Sequence, residues 1–217
     1  MEYSNGRIFK MKYFIQPIGT HCTGKSRVVS SIALSYGIKF QNNLFSKTED
    51  DTCMLLGRYT KRPNKNYTGG YDAVSHTTKQ RKEHIKKLWE SNYEIVMVEG
   101  FLLSYFNVFI DWYKTLEPKR KVVLIFLEPS LDIIKERLLK RSGGKPWSKK
   151  REDHVVGKMK VCTKALESIT DDNFFVHKTF KNEGNNELIE ILKYVESETG
   201  IKMKSYKTDI KYNLSKW

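Results

Sequence analysis

Cysteine is scarce, with three residues (Cys22, Cys53 and Cys162) in a chain of 217. Their number is odd and their spacing wide, so neither a disulfide framework nor a cysteine metal motif is present, and a reducing cytoplasm is the compartment that fits. Long apolar runs are missing too. None approaches the roughly 20 residues a bilayer-spanning helix needs, and the N-terminal stretch lacks the apolar region of a secretory signal. No membrane partner is expected. There is no internal repeat and no low-complexity linker, so one α/β domain over residues 1–217 is expected. An N-K-x-D motif is absent, which counts against a guanine-selective switch. Acidic residues are in deficit, 25 against 39 lysines and arginines, for a net charge of +14. That balance favours a polyanionic partner such as nucleic acid and says little about fold. Its plain alternative is a lysine-rich solvated surface.

What is present begins with Gly19-Thr20-His21-Cys22-Thr23-Gly24-Lys25-Ser26. The stretch fits G-x-x-x-x-G-K-[ST], a phosphate-binding loop. An apolar run, Tyr13-Phe14-Ile15, opens a strand expected over 13–18 ahead of it, and apolar residues at helical spacing follow: Val28, Val29, Ile32, Ala33 and Tyr36, with Gly37 as the stop. Strand, loop and helix in that order aim backbone N–H groups and the positive helix end at one anion. Residues 19–26 are the expected nucleotide cradle. In it Gly24 allows close backbone approach, Lys25 reaches the β- and γ-phosphates of ATP, and the Ser26 hydroxyl holds Mg²⁺. A chance Gly/Lys/Ser turn is the competing reading, and the flanking pattern tells against it.

Further along, a short strand is expected over 52–59, then a loop with two arginines, two lysines and three tyrosines. Arg58 and Arg62 suit phosphate clamping, and Tyr59, Tyr67 and Tyr71 suit base stacking. Asp72 follows Gly69 and Gly70. It reads as a general base, as the N-cap of the next helix, 73–92, or as both, and that helix is long and rich in basic residues. The strand 94–98 ends in Glu99. A carboxylate there suits Mg²⁺, or the acceptor's proton, or a structural role alone. A bulky aromatic helix is expected over 103–116 and a buried parallel strand over 122–127. Arg137 and Arg141 close the helix that Ser130 opens, and a basic glycine-containing lid, 142–152, follows with Arg151 at its end. These arginines are placed to neutralise the transferred phosphoryl group. A helix over 152–169, a strand over 174–180 and a helix over 187–195 complete a core of 12–196. The tail, 197–217, is basic and aromatic, with docking, nucleic-acid binding and disorder all open. The alternation predicts a mostly parallel five-stranded sheet with helices on both faces.

In this order of parts the chain resembles P-loop kinases of the nucleoside monophosphate kinase type. It departs from them where Cys22 and Thr23 replace small residues, and where Glu99 replaces an aspartate. Leu56-Gly57-Arg58-Tyr59, Gly69-Gly70-Tyr71-Asp72 and Val98-Glu99-Gly100 are similar to motifs of the bacteriophage 5-hydroxymethyluracil DNA kinases. That resemblance implies ATP and Mg²⁺, and an acceptor hydroxymethyl group on a modified pyrimidine within DNA. It also implies the cytoplasm of an infected bacterium. Two rivals stand beside it: a kinase of free nucleotides, and an ATP-dependent nucleic-acid-binding module. Oligomeric state has no signal.

Overall fold

Alternation along 13–18 sends Phe14 and Ile15 to opposite faces of a central strand, and each face builds its own apolar layer. The computed structural model describes residues 11–40, 43–59, 70–71, 77–100, 109–144, 146–169 and 174–208, and the backbone alone of 3–4 and 7–8. In chain order the elements are β1 (Tyr3–Ser4), β2 (Arg7–Ile8), β3 (Tyr13–Ile18), α1 (Lys25–Tyr36), β4 (Phe45–Lys47) and β5 (Cys53–Leu56). Next come α2 (Thr78–Trp89), β6 (Ile95–Val98), α3 (Ile110–Lys114), β7 (Lys121–Leu127), α4 (Leu131–Arg141), α5 (Lys149–Glu167), β8 (Phe175–Phe180) and α6 (Asn185–Thr199). The main sheet runs β4-β5-β6-β3-β7-β8, and β1 pairs with β2 separately.

Five of its strands are parallel, as expected, and near-continuous apolar runs such as Lys121–Leu127 suit burial on both faces. The sixth corrects the expected count. β4 pairs antiparallel with β5, Phe45 opposite Leu56. Three residues with one large apolar side chain leave almost no periodic trace, and an edge strand needs only one neighbour. Ile15 and its layer pack under α1 (Val28, Val29, Ile32) and α6 (Leu188, Ile191, Leu192). Phe14 and its layer pack under α2 (Ile85, Leu88, Trp89), α3 (Tyr113) and α5 (Cys162, Ala165, Leu166).

The helix expected over 73–92 begins at Thr78, and its cap is Thr77 rather than Asp72. Thr77 Oγ1 accepts from Gln80 N at 3.2 Å, and Gln80 Oε1 accepts from Thr77 N at 3.0 Å. Two of the free donors at that end are met by the reciprocal box. Asp72 lies outside the described residues, as do 101–108 of the aromatic helix, of which Ile110–Lys114 is helical. The expected lid is shortened at its far end, because Ser148 caps α5 and residues 149–151 are already helical. Of the tail, residues 201–208 run beside the end of α1: Lys204 N donates to Ser35 O and Lys207 N to Ser35 Oγ, each at 2.9 Å. Residues 209–217 lie outside the described set. Among the described residues no helix is long and apolar enough to cross a membrane.

Candidate active site

Parallel strands aim their carboxyl ends at one edge of a sheet, and ligands of such folds gather there. On that edge the loop 19–26 joins β3 to α1. Gly24, just ahead of the helix, has φ +94, and a Cβ on it would lie 2.3 Å from Asn182 Nδ2. Glycine is required at 24 by backbone conformation and by a neighbouring amide as well. Cys22 takes a positive φ of 59 without that freedom.

Lys25 is buried, and its Nζ donates to Gly19 O at 3.0 Å and Thr20 O at 2.7 Å. Thr23 Oγ1 donates to Thr20 O at 3.1 Å. α5 stands close by. Burial pushes the Cys162 thiol up, with the charges of Lys25 and Lys158 acting the other way. His21 stacks on His154 of α5, ring centroids 5.9 Å apart. The helix after the expected lid therefore touches the phosphate loop.

The Ser26 hydroxyl donates to Glu99 Oε1 at 2.8 Å, and Glu99 is buried at the end of β6. The two residues expected to hold the metal are thus brought together. Gly70 packs directly on this carboxylate. Its φ is +107, and a Cβ there would fall 1.9 Å from Glu99 Oε1. Tyr71 N donates to Glu99 O at 3.2 Å, and Gly70 N to Arg58 O at 3.1 Å. The ends of the loop between Arg58 and Gly70 are joined beside the Ser26–Glu99 pair.

The expected arginines part company. Arg137 donates from Nη1 to Cys22 O at 3.3 Å and from Nη2 to Asn182 O at 2.8 Å. Burial first, and nearby Arg27 second, lower its pKa. Arg141, one turn on, is exposed, as is Arg58, and Arg151 is half-buried in the first turn of α5.

Two expected stacking residues are corrected. Tyr59 is fully buried and stacks on Phe40 at 5.6 Å, while Tyr71 is buried with its hydroxyl 2.8 Å from His84 Nδ1. Burial pushes the Tyr71 phenol up to about 12. Both rings are part of the core, so neither offers a face to a base. Arg62, Tyr67 and Asp72 lie outside the described residues. Asn182 was not expected at the site at all. It stands between Lys181 and Glu183 in no motif, and only the fold carries it to the phosphate loop.

No family model matches the chain. The chain is similar to a "5-hmdU DNA kinase" of Bacillus phage SP10. Identity is 31% over 123 residues, taking in 54% of this chain and 18% of that relative, so this chain matches less than a fifth of the relative's length. Among solved structures, a shikimate kinase from Acinetobacter baumannii in complex with shikimate aligns at TM-score 0.45 and 13% identity. That alignment covers 88% of this chain and 96% of the other. An unliganded sugar kinase from a Janibacter species aligns at 0.41 and 11%, covering 86% and 93%. At those scores the fold rests on this chain's own sheet order and phosphate loop. The resemblance to phage 5-hydroxymethyluracil DNA kinases, drawn from short motifs, is matched by a similarity over more than half of the chain.

Proposed function

We propose that the chain is an ATP-dependent kinase whose acceptor is the hydroxymethyl group of a modified pyrimidine in DNA. The observation that carries the kinase reading is the Ser26–Glu99 hydrogen bond beside the phosphate loop. A hydroxyl and a carboxylate 2.8 Å apart are hard oxygen donors of the kind Mg²⁺ takes. Bound there with ATP, the ion would neutralise charge on the β- and γ-phosphates. The protein's part is positioning. Residues 19–26 cradle the phosphates, Lys25 leaves its loop carbonyls for the γ-phosphate, and Arg141 and Arg151 approach from the lid side. The acceptor oxygen bonds to the γ-phosphorus as the bond to the bridging oxygen breaks and ADP leaves. Asp72, next to Tyr71 in the chain, orients the hydroxyl and takes its proton, which frees Glu99 for the metal. A primary alcohol is a weak acid, so alignment and charge stabilisation dominate over base strength.

The DNA acceptor is supported by the similarity to the phage enzyme and by the net charge of +14. Arg58 and Arg62 hold phosphates flanking the target, and Tyr67 is the tyrosine of the loop left to stack on it. An infected bacterial cytoplasm is the setting that goes with this acceptor. The deciding assay is transfer from γ-labelled ATP to four acceptors, with Lys25→Ala as the blank. These are DNA containing 5-hydroxymethyluracil, thymine DNA, free 5-hydroxymethyl-dUMP and dTMP. Label on the modified DNA alone is expected. Label on a free nucleotide alone makes this a nucleotide kinase and reduces the charge to solubility. ATP hydrolysis with no labelled acceptor points to the nucleic-acid-binding module.

Gly70→Ala tests the carboxylate. The added methyl displaces Glu99 from Ser26, and kcat/KM is expected to fall by about a hundredfold, the scale of losing one well-aimed charge-stabilising group. The Mg²⁺ concentration giving half-maximal nucleotide binding should rise with it. A variant with wild-type Mg²⁺ dependence would show that the Ser26–Glu99 pair is not the metal site.

A further inference from the structure

Asn182, in the turn between β8 and α6, is fully buried and takes a φ of 50. Its Nδ2 donates to Thr23 O at 2.6 Å. Its backbone carbonyl accepts from Arg137 Nη2 at 2.8 Å, while Arg137 Nη1 reaches Cys22 O at 3.3 Å. Two successive carbonyls of the phosphate loop are drawn towards these two side chains. In a planar trans peptide the N–H lies opposite the C=O. The N–H groups of Thr23 and Gly24 are therefore turned the other way.

We propose that Asn182 and Arg137 form a brace that holds the phosphate loop in its anion-binding shape before nucleotide arrives, with Asn182 as a positioning residue. The inference rests on reading residues 19–26 as a nucleotide loop. Donors fixed in advance cost no reorganisation when charge reaches them. The turn that carries Asn182 is itself tied on two further sides. Arg27 of α1 is hydrogen-bonded to Asn185, and Glu183 Oε1 accepts from Ser130 N at 2.9 Å ahead of α4. Those ties hold an asparagine in the left-handed region, a strain that persists where surroundings over-determine it. Gly24 completes the fit, because its absent Cβ leaves the space the Asn182 amide fills.

The sheet order makes the expected effect selective. The loop leaves β3 at the middle of the sheet. The brace comes from the β7–β8 side, whereas Glu99, Gly70 and Arg58 stand on the β6–β5 side. Loosening the brace should weaken nucleotide binding and leave the acceptor side intact.

The test uses Asn182→Gly, which keeps the φ and removes the amide, and Asn182→Asp, which keeps the shape and replaces the donor with an acceptor. Calorimetry reads binding of a non-hydrolysable ATP analogue, and steady-state kinetics read KM for ATP and for the acceptor. Asn182→Gly should weaken analogue binding about tenfold, the worth of one buried hydrogen bond at the site. It should raise KM for ATP in step and leave the acceptor's KM unchanged. Asn182→Asp should be weaker still, and Arg137→Lys, which gives up one of its two carbonyl bonds, should move the same way. Analogue binding by Asn182→Gly equal to that of the parent chain overturns the inference. So does an equal rise in both KM values with a lowered melting temperature, which marks general loosening. A parent chain that binds no nucleotide removes the reading of residues 19–26 and the brace with it; retained binding in Asn182→Gly removes the brace alone.

Discussion

Lys25→Ala should lower phosphoryl transfer by about a thousandfold or more, through loss of the one loop side chain whose charge meets the transferred group. In the structure Lys25 Nζ is bound by the carbonyls of Gly19 and Thr20. Those bonds store the ammonium within the loop, a short swing from where the γ-phosphate would lie. Truncation takes the charge away without touching the layer of Val28, Val29 and Ile32 that seats α1. Two carbonyls lose a donor, but a buried cation and its desolvation cost go too, so stability should change by no more than about 1 kcal/mol. The measurement is label transfer from γ-labelled ATP beside a thermal melt. Turnover within tenfold of the parent would remove the phosphate-loop argument. A collapsed melt would assign the loss to folding, and Lys25→Met, which keeps the aliphatic stem, then separates the two.

The parts of this site that could be read from the sequence are the parts set by local chemistry. Lys25, Ser26 and the glycines belong to one eight-residue motif whose spacing is dictated by a single anion. Glu99 was legible because a strand end beside such a loop faces it. The Gly69-Gly70 pair was visible, but its reason was not: Gly70 is glycine because the Glu99 carboxylate occupies the place of its side chain. Tyr59 and Tyr71 misled for a related cause. Aromatic residues in a basic loop suit base stacking, yet the same residues serve a core just as well, and only tertiary packing decides. Thr77 and Gln80 carried a readable capping signature three residues apart that outranks Asp72 as a helix start. Asn182 had no signal, since its role exists only once β8 is laid next to β7.

Arg120 is the clearest residue whose weight the sequence hides, and its removal should be the most costly substitution away from the active site. In Pro118-Lys119-Arg120-Lys121 it reads as one more member of a solvated charge run. In the structure it is buried. Its Nε donates to Trp89 O at 2.6 Å, Nη2 to Ser91 O at 2.7 Å and Nη1 to Tyr93 O at 2.9 Å. Trp89 ends α2 and Tyr93 leads towards β6, so one guanidinium serves three carbonyls of the turn between them. It also sets a cation against the negative end of a helix. Burial lowers its pKa to about 10, so the group stays charged at neutral pH. Arg120→Met would leave the buried Trp89 and Tyr93 carbonyls without this donor, while Ser91 O keeps Lys12 Nζ. At about 1–3 kcal/mol for each, partly offset by relief of the guanidinium's own desolvation, the net loss should be about 3 kcal/mol. For a chain of this size that is a fall in Tm of roughly 10 °C. Arg120→Lys should fall between, because one ammonium cannot span three carbonyls fixed around a planar fork. Below the transition both variants should retain the parent's kcat and KM, since Arg120 precedes β7 at the edge of the sheet opposite the phosphate loop. A melt unchanged in Arg120→Met would show that the turn finds other donors, with Lys12, whose Nζ already reaches Ser91 O at 3.1 Å, the nearest at hand.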